Sequence, residues 1–363
     1  MLFINKIFLT IKKVLLFSAA ILALSSCSNT DVLEEGNIQQ TNAIGFQTLV
    51  NKESRALTNA SFGKFWVYGT YHKSGQAANK VIVFDGVNVL KGNTEQGAST
   101  GWGYSGTRYW VDGATYNFYA YSCDNEPLTT YGRANLDETS KALNIAEFIC
   151  DETHQHDLVF AKSTDIQGKA TGNEAVKFSF KHILSKLNVT FVNEYPADYE
   201  LTISNVRVSN VRNKGKFLGE SGEWNISDVV RYPEINSTPV VSLALKNATD
   251  GSITLKNTAD VKESNGSTDW GYVIPFAYES NNVDIIFTLQ VKNPLGDTII
   301  NQTIKGNWQP DWKPGYSYAY TVKLTGGESG LEPIVFGVND WTEGDGWTAG
   351  SASTITFSPV AGN

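Results

Sequence analysis

The sequence predicts an all-β chain, and three observations carry that reading. Glycine (32 residues), phenylalanine (18), tyrosine (16) and tryptophan (9) are abundant, a composition of turns and of aromatic residues that fit pleated surfaces. Apolar helical periodicity is missing after roughly the first 30 residues. Short segments of period-two alternation recur through the remainder, with Gly, Asn and Pro between them. The 363 residues, 41% hydrophobic and 18% charged, suffice for one or two buried cores, and two domains are favoured; the composition is far from a disordered one.

The first element is an address. In KKVLLFSAAILALSSCSN two lysines precede an apolar run from Val14 to Leu24, which is too short for a comfortable membrane span and gives way to small residues. Residues 1–26 therefore read as a secretory signal. Its end, LSSC, resembles the lipobox of bacterial lipoproteins, in which the cysteine becomes the lipidated first residue, so Cys27 is the expected anchor. Residues 27–43, polar and acidic, read as a flexible tether. Cys123 and Cys150 are left; a disulfide and two buried free thiols both stay open, since the sequence gives no distance between them.

The strands follow in order. AIGFQTLV sets Ile44, Phe46, Thr48 and Val50 on one face, and GKFWVYGTY sets Phe65, Val67 and Gly69 opposite Trp66, Tyr68 and Thr70. Between them Arg55 stands in a polar, small-residue link. NKVIVFDGVNVL reads as a hairpin across Asp85-Gly86, and TRYWVDGATYNFYAYS as another across Asp112-Gly113. HDLVFA and EAVKFSFKH complete a first β-sandwich, residues 44–183. The stretch ETSKALNIAEFIC fits both a helix and a strand and is left unassigned. A second series, SKLNVTFVN, ELTISNVRVSNV, TPVVSLAL, SITLKN, WGYVIPF, NVDIIFTLQVK, TIINQTIKGNW, YSYAYTVKLT and EPIVFGVNDW, has the spacing of another β-sandwich, residues 184–363, with the boundary near His182 to Lys186.

Charge and motifs exclude more than they assign. The formal net charge of −8 leaves no basic stripe for phosphates, so no nucleic acid is expected as a partner. GASTG (Gly97 to Gly101) spells a nucleophile elbow but lacks the preceding apolar strand and following helix that the motif needs. His154 and His156 share a face if extended, with Asp151 and Asp157 near, yet a third nitrogen or sulfur ligand is missing, so no metal is expected. His72 and His182 are isolated. No catalytic residue and no cofactor is nominated. Exposed aromatic residues in GWGYSGTRYW or NWQPDWKPGY would suit stacking on a sugar; the competing reading places Trp66, Trp110 and Trp270 in cores and Trp308, Trp312, Trp341 and Trp347 at strand ends.

Several motifs in a fixed order resemble one family. The lipoprotein leader, the Ile44-x-Phe46 strand, SRA at Ser54 to Ala56 and FWVYGTY come first. RYWVDGATYNFYAYS, HDLVFAKS, VKFSFKHILSKLNVTF, WKPGYSYAYTVKL and FGVNDW follow. Together they are similar to the Bacteroidales-type fimbrillins, subunits of type V pili. Two departures stand out: Cys123 lies where such sequences often continue with proline, and the tail GWTAGSASTITFSPVAGN extends past the usual end. The resemblance implies two transthyretin-like sandwiches, travel as a lipoprotein to the outer membrane, and cleavage by an arginine-specific protease between Arg55 and Ala56. Loss of the segment before the cut would release the strand of Ile44, Phe46 and Val50 and open a groove. A strand from another fimbrial subunit would fill that groove by strand addition. The expected donor is EPIVFGVNDW, where Ile334, Phe336 and Val338 repeat the alternation of the lost strand; STITFSPV is the second choice. The implied function is that of a structural or accessory subunit of a surface fimbria that supports adhesion. The alternative from another class is a surface lipoprotein that does not polymerise and binds host or bacterial glycans.

Overall fold

The computed structural model describes residues 42–48, 62–93, 100–225, 243–244, 251–259, 264–269, 271–276, 283–327, 330–331, 335–338, 348–349 and 356–359. These residues form strands, turns and bends without an α-helix among them. The first ten strands are β1 (Phe46–Thr48), β2 (Lys64–Lys73), β3 (Val81–Lys91), β4 (Trp102–Gly103), β5 (Ala114–Cys123), β6 (Arg133–Leu136), β7 (Leu143–Ile149), β8 (Leu158–Gln167), β9 (Val176–Phe178) and β10 (Lys181–His182). Then come β11 (Ser185–Asn193), β12 (Glu200–Ser209), β13 (Lys214–Leu218), β14 (Glu223–Asn225), β15 (Leu243–Ala244), β16 (Ser252–Lys256), β17 (Ser264–Ser267) and β18 (Gly271–Val273). The last are β19 (Val283–Lys292), β20 (Thr298–Trp308), β21 (Tyr316–Leu324), β22 (Gly326–Gly327), β23 (Gly330–Leu331), β24 (Val335–Val338), β25 (Thr348–Ala349) and β26 (Thr356–Pro359).

The first half is organised by a six-stranded sheet in the order β10-β8-β5-β2-β3-β4. Because alternate side chains point to opposite faces, each central strand feeds two cores. On β2, Phe65 and Val67 enter one cluster while Trp66 and Tyr68 enter another. On β5, Phe118 and Ala120 divide from Tyr119 and Tyr121 in the same way. Both faces are covered, which is why these strands read as nearly continuous apolar runs. The first face is closed by the parallel pair β1-β9. The packing is close enough that a Cβ on Gly69 would stand 2.7 Å from the Phe118 ring, so only glycine fits there.

The second face is closed by a four-stranded sheet, β14-β13-β7-β6, built from residues on both sides of the His182 to Lys186 boundary. Its core joins Leu143, Ile145 and Phe148 to Ile183, Leu184, Phe217 and Ile274. Gln155 adds a clip: its amide donates to the Tyr272 carbonyl (3.2 Å) and accepts from the Tyr272 N–H (2.6 Å), pairing with that residue as a neighbouring strand would. The unassigned stretch is thus strand β7. Its alternation is broken by a bulge, with Ala146 and Glu147 opposite the single residue Lys216 and Glu147 at φ +52°.

The later strands make a sandwich of two sheets, β17-β11-β21-β24 and β15-β12-β19-β20-β26, with β18 and β25 added to the first and β16 to the second. Strands β11 and β21 run parallel from Lys186↔Ser317 to Asn193↔Leu324. Their inward residues meet those of β12 and β19 in an aliphatic core of Leu187, Val189, Ile203, Ile285 and Leu289.

Two hairpin expectations are corrected. Asp85-Gly86 does not turn the chain: both residues lie inside β3 opposite Tyr68, as a bulge with Gly86 at φ +66°. The left-handed glycine that favours a tight turn serves a bulge equally well. Asp112-Gly113 does turn, but its flanks do not pair with each other; Tyr109 bridges Ala43 while β5 pairs with β2 and β8.

Candidate functional site

The segment Asn42 to Thr48 passes between two neighbours. At its start the Ile44 N–H donates to the Arg108 carbonyl (2.8 Å) and the Trp110 N–H to the Asn42 carbonyl (3.0 Å), an antiparallel bridge. Further on, β1 runs parallel to β9 in the register Phe46↔Val176 to Thr48↔Phe178. Two hydroxyls complete its backbone bonding. Tyr104 donates to the Ile44 carbonyl at 2.7 Å, and Thr100 donates to the Phe46 carbonyl. Burial pushes the Tyr104 phenol up to about 12, against an opposing hydrogen bond from the Arg108 N–H; it stays a donor throughout the physiological range.

Side chains anchor the segment as firmly. Ile44 and Phe46 are fully buried. The Phe46 ring is surrounded by those of Phe84 (5.1 Å between centroids), Tyr104 (5.6 Å), Phe178 (5.7 Å), Phe118 (5.9 Å) and Phe65 (6.5 Å). Edge-to-face and offset pairs at these distances add to the area each ring buries. Sequence reading found Ile44, Phe46 and the β9 pattern, but missed Tyr104, Thr100 and Arg108. Those sit in glycine-rich turns, where periodicity carries no signal.

Both C-terminal segments with donor-like alternation are seated at sheet edges. β24 lies antiparallel on β21, with Val322↔Phe336 and Tyr320↔Val338. β26 lies antiparallel on β20, with Gly306↔Phe357. Cys27, Val50, Arg55, Ala56 and Ile334 lie outside the described residues, as do Trp270, Trp341, Trp347 and the first three residues of GASTG.

The remaining sequence candidates separate into structural roles. His154 pairs with Asp151 (2.8 Å) and His156 with Asp124 (3.1 Å), while Tyr131 stacks on His156 at 4.4 Å. Buried His182 pairs with Asp157 (2.8 Å). Cys123 and Cys150 form no disulfide and are buried in the junctional core. Burial pushes both thiols far above their ordinary range, which keeps them protonated and unreactive. Trp102, Tyr104, Trp110 and Trp312 are buried, so their faces are closed to a stacked sugar. For Trp312 this corrects the expected strand-end position: it fills the aliphatic core and donates to the Tyr320 hydroxyl at 2.9 Å.

The fold and the inserted first strand define an all-β protein of stacked sheets. The sequence profile described as Fimbrillin-like matches residues 54–341, and the chain belongs to that family. Solved structures similar to it include the fimbrial anchor protein Mfa2 of Porphyromonas gingivalis, at 12% identity over 84% of this chain and 99% of that one with a TM-score of 0.38. Proposed cell adhesion proteins of Bacteroides uniformis (16% identity, 83% and 99% covered, TM-score 0.41) and Bacteroides eggerthii (13%, 88% and 93%, TM-score 0.43) are also similar. No curated protein matches the chain.

Proposed function

We propose that the chain is a structural or accessory subunit of a cell-surface fimbria. On this reading it is exported as a lipoprotein held in the outer membrane through Cys27, cut between Arg55 and Ala56 by an arginine-specific protease, and polymerised by strand exchange in support of adhesion. Residues 44–183 and 184–363 are its two transthyretin-like sandwiches, joined through the sheet they share. The observation that carries this reading is the seating of residues 42–48. The segment is bonded on both sides yet continues to Phe62 only through the link that holds Arg55.

A cut at Arg55 severs that link. If the segment then leaves, it uncovers the rings around Phe46 and unpairs backbone groups of Arg108, Trp110 and Val176, a costly groove to leave open. A strand of like alternation from another subunit fills it by β-augmentation. Ile334-Val335-Phe336 repeats the spacing of Ile44-Gly45-Phe46 and lies within the family match, whereas the tail that holds STITFSPV lies beyond it. The glycan-binding alternative loses Trp102, Tyr104, Trp110 and Trp312 to the cores and keeps Tyr109, which is exposed.

Mass spectrometry of the N-terminus tests the pathway. Membrane-bound precursor is expected to begin at lipid-modified Cys27, and material sheared from the surface at Ala56. A sheared form that still carries Cys27, or unchanged fatty-acid labelling in Cys27→Ala, would overturn the assignment.

A further inference from the structure

We propose that the tip of the β19-β20 hairpin is a docking knob that seats in a pocket beside β9 of a second copy of this chain. The inference deepens the polymer reading and rests on it. At the tip Leu295 is 86% exposed, the most exposed of the large apolar side chains among the described residues. A lone exposed leucine is ordinary; this one is held in place. Asn293 Oδ1 accepts from the N–H groups of Leu295 and Asp297 (both 2.9 Å), its Nδ2 donates to the Asp297 carboxylate (3.2 Å), and its N–H donates to the Asp297 carbonyl (2.9 Å). A loop tied this way gives up little freedom on binding, so its apolar tip is pre-organised.

The second observation is where the tip stands. Lys292 pairs with Glu200 and Thr298, and Asn193 with Leu324, so the hairpin closes the end of the second sandwich remote from the junction at Ser185. From that same end the chain leaves Leu324 for Gly326-Gly327 and the C-terminal strands. A strand departing there for a neighbour's groove brings this end of the molecule against that neighbour's β9.

The receiving surface is a pocket of about 260 Å³ at the far end of β8, smaller than the roughly 300–1,000 Å³ of drug-sized sites and suited to one side chain. Trp110, Ile166 and Val176 supply apolar wall, and Val176 is the residue that pairs with Phe46. Pocket and groove therefore share a strand. On the rim Lys177 pairs with Glu174 (2.9 Å), while Lys169 acts on the same carboxylate only from beyond ion-pair distance. Lys169 matches the Asp297 carboxylate beside the knob.

Cysteine cross-linking in cells that export the full chain tests the contact, since both native thiols of the folded part are buried. Co-expressed Leu295→Cys and Gln167→Cys variants are expected to give a disulfide-linked pair in sheared fibres, and neither variant alone. Leu295→Asp is expected to shorten or abolish fibres with no change in the melting temperature of the monomer. Lys169→Glu is expected to weaken them at least tenfold in yield, with recovery on adding Asp297→Lys. Fibres of the two co-expressed cysteine variants that form no cross-link, together with normal fibres from Leu295→Asp, would overturn the docking contact and leave strand exchange standing. Processed wild type that forms no fibres would remove the polymer reading and this contact with it.

Discussion

The segments that contain β1 and β24 carry the same Ile-x-Phe spacing in sequence, and the two strands are held in opposite ways. β1 is three residues long, yet its segment is bonded to the 108–110 stretch and to β9, receives two hydroxyl donors, and places one ring among five others. β24 has four residues and its place in the sheet order is an edge, on β21. The difference teaches that apolar alternation specifies what a strand fits, while the number of neighbours decides how readily it leaves. On the proposed reading the segment with many partners is the plug and the edge strand the reserve.

The largest expected effect is at the plug. Phe46→Ala removes the ring at the centre of the aromatic core and should destabilise the uncleaved chain by about 3–5 kcal/mol, read by denaturant unfolding. A loss below about 1 kcal/mol would mean that the groove tolerates an empty centre. At the reserve, Phe336→Asp should cost the monomer far less. It should still block assembly, because an unpaired carboxylate buried in a partner's groove costs several kcal/mol. Normal fibres from this variant would pass the donor role to STITFSPV, and normal fibres from a chain truncated before Leu331 would exclude this end altogether.

Smaller effects sharpen the same contrast. Tyr104→Phe leaves the Ile44 carbonyl without its hydroxyl partner and should weaken the plug by about 1–2 kcal/mol with no effect on an isolated C-terminal edge. Alkaline titration gives the last comparison. Burial holds Tyr104 and Tyr121 up to about 12. A phenol whose folded-state value is raised contributes its full stability below its unfolded value, about 10, and loses it as pH climbs toward 12. Stability should therefore begin to fall at about pH 8.5, where the Cys123 and Cys150 thiols would ionise in the unfolded chain but are held protonated by burial in the folded one, and fall more steeply above about pH 10, by up to about 1.4 kcal/mol per pH unit for each such tyrosine. Tyr104→Phe should flatten the decline; an unchanged slope would take Tyr104 out of it.

What could be read in the sequence follows from how local its cause is. The two faces of β2 were legible because Phe65, Val67 and Trp66, Tyr68 alternate without interruption. β7 was not, since the bulge at Ala146 and Glu147 shifts its period midway. Asp85-Gly86 misled because one backbone conformation serves both a turn and a bulge. Ile44 and Phe46 announced a buried strand, but its neighbours did not. Tyr104 lies 60 residues from Ile44, and His156 finds Asp124 across 32; such pairings arise only from the folded topology. The shared sheet was hidden for the same reason, as β7 and β13 belong to stretches that read as separate domains.

That shared sheet also governs how the molecule bears load. Tension applied along a chain of linked modules usually concentrates in the linkers. Here the two halves meet through β7-β13 hydrogen bonds and the Gln155 clip on Tyr272. Reorienting one half against the other requires rupturing backbone pairs together rather than rotating a few dihedrals. A filament of such units would bend at the contacts between subunits and stay stiff within each one, so its persistence length should answer to changes at the subunit ends and be insensitive to the residues around His182.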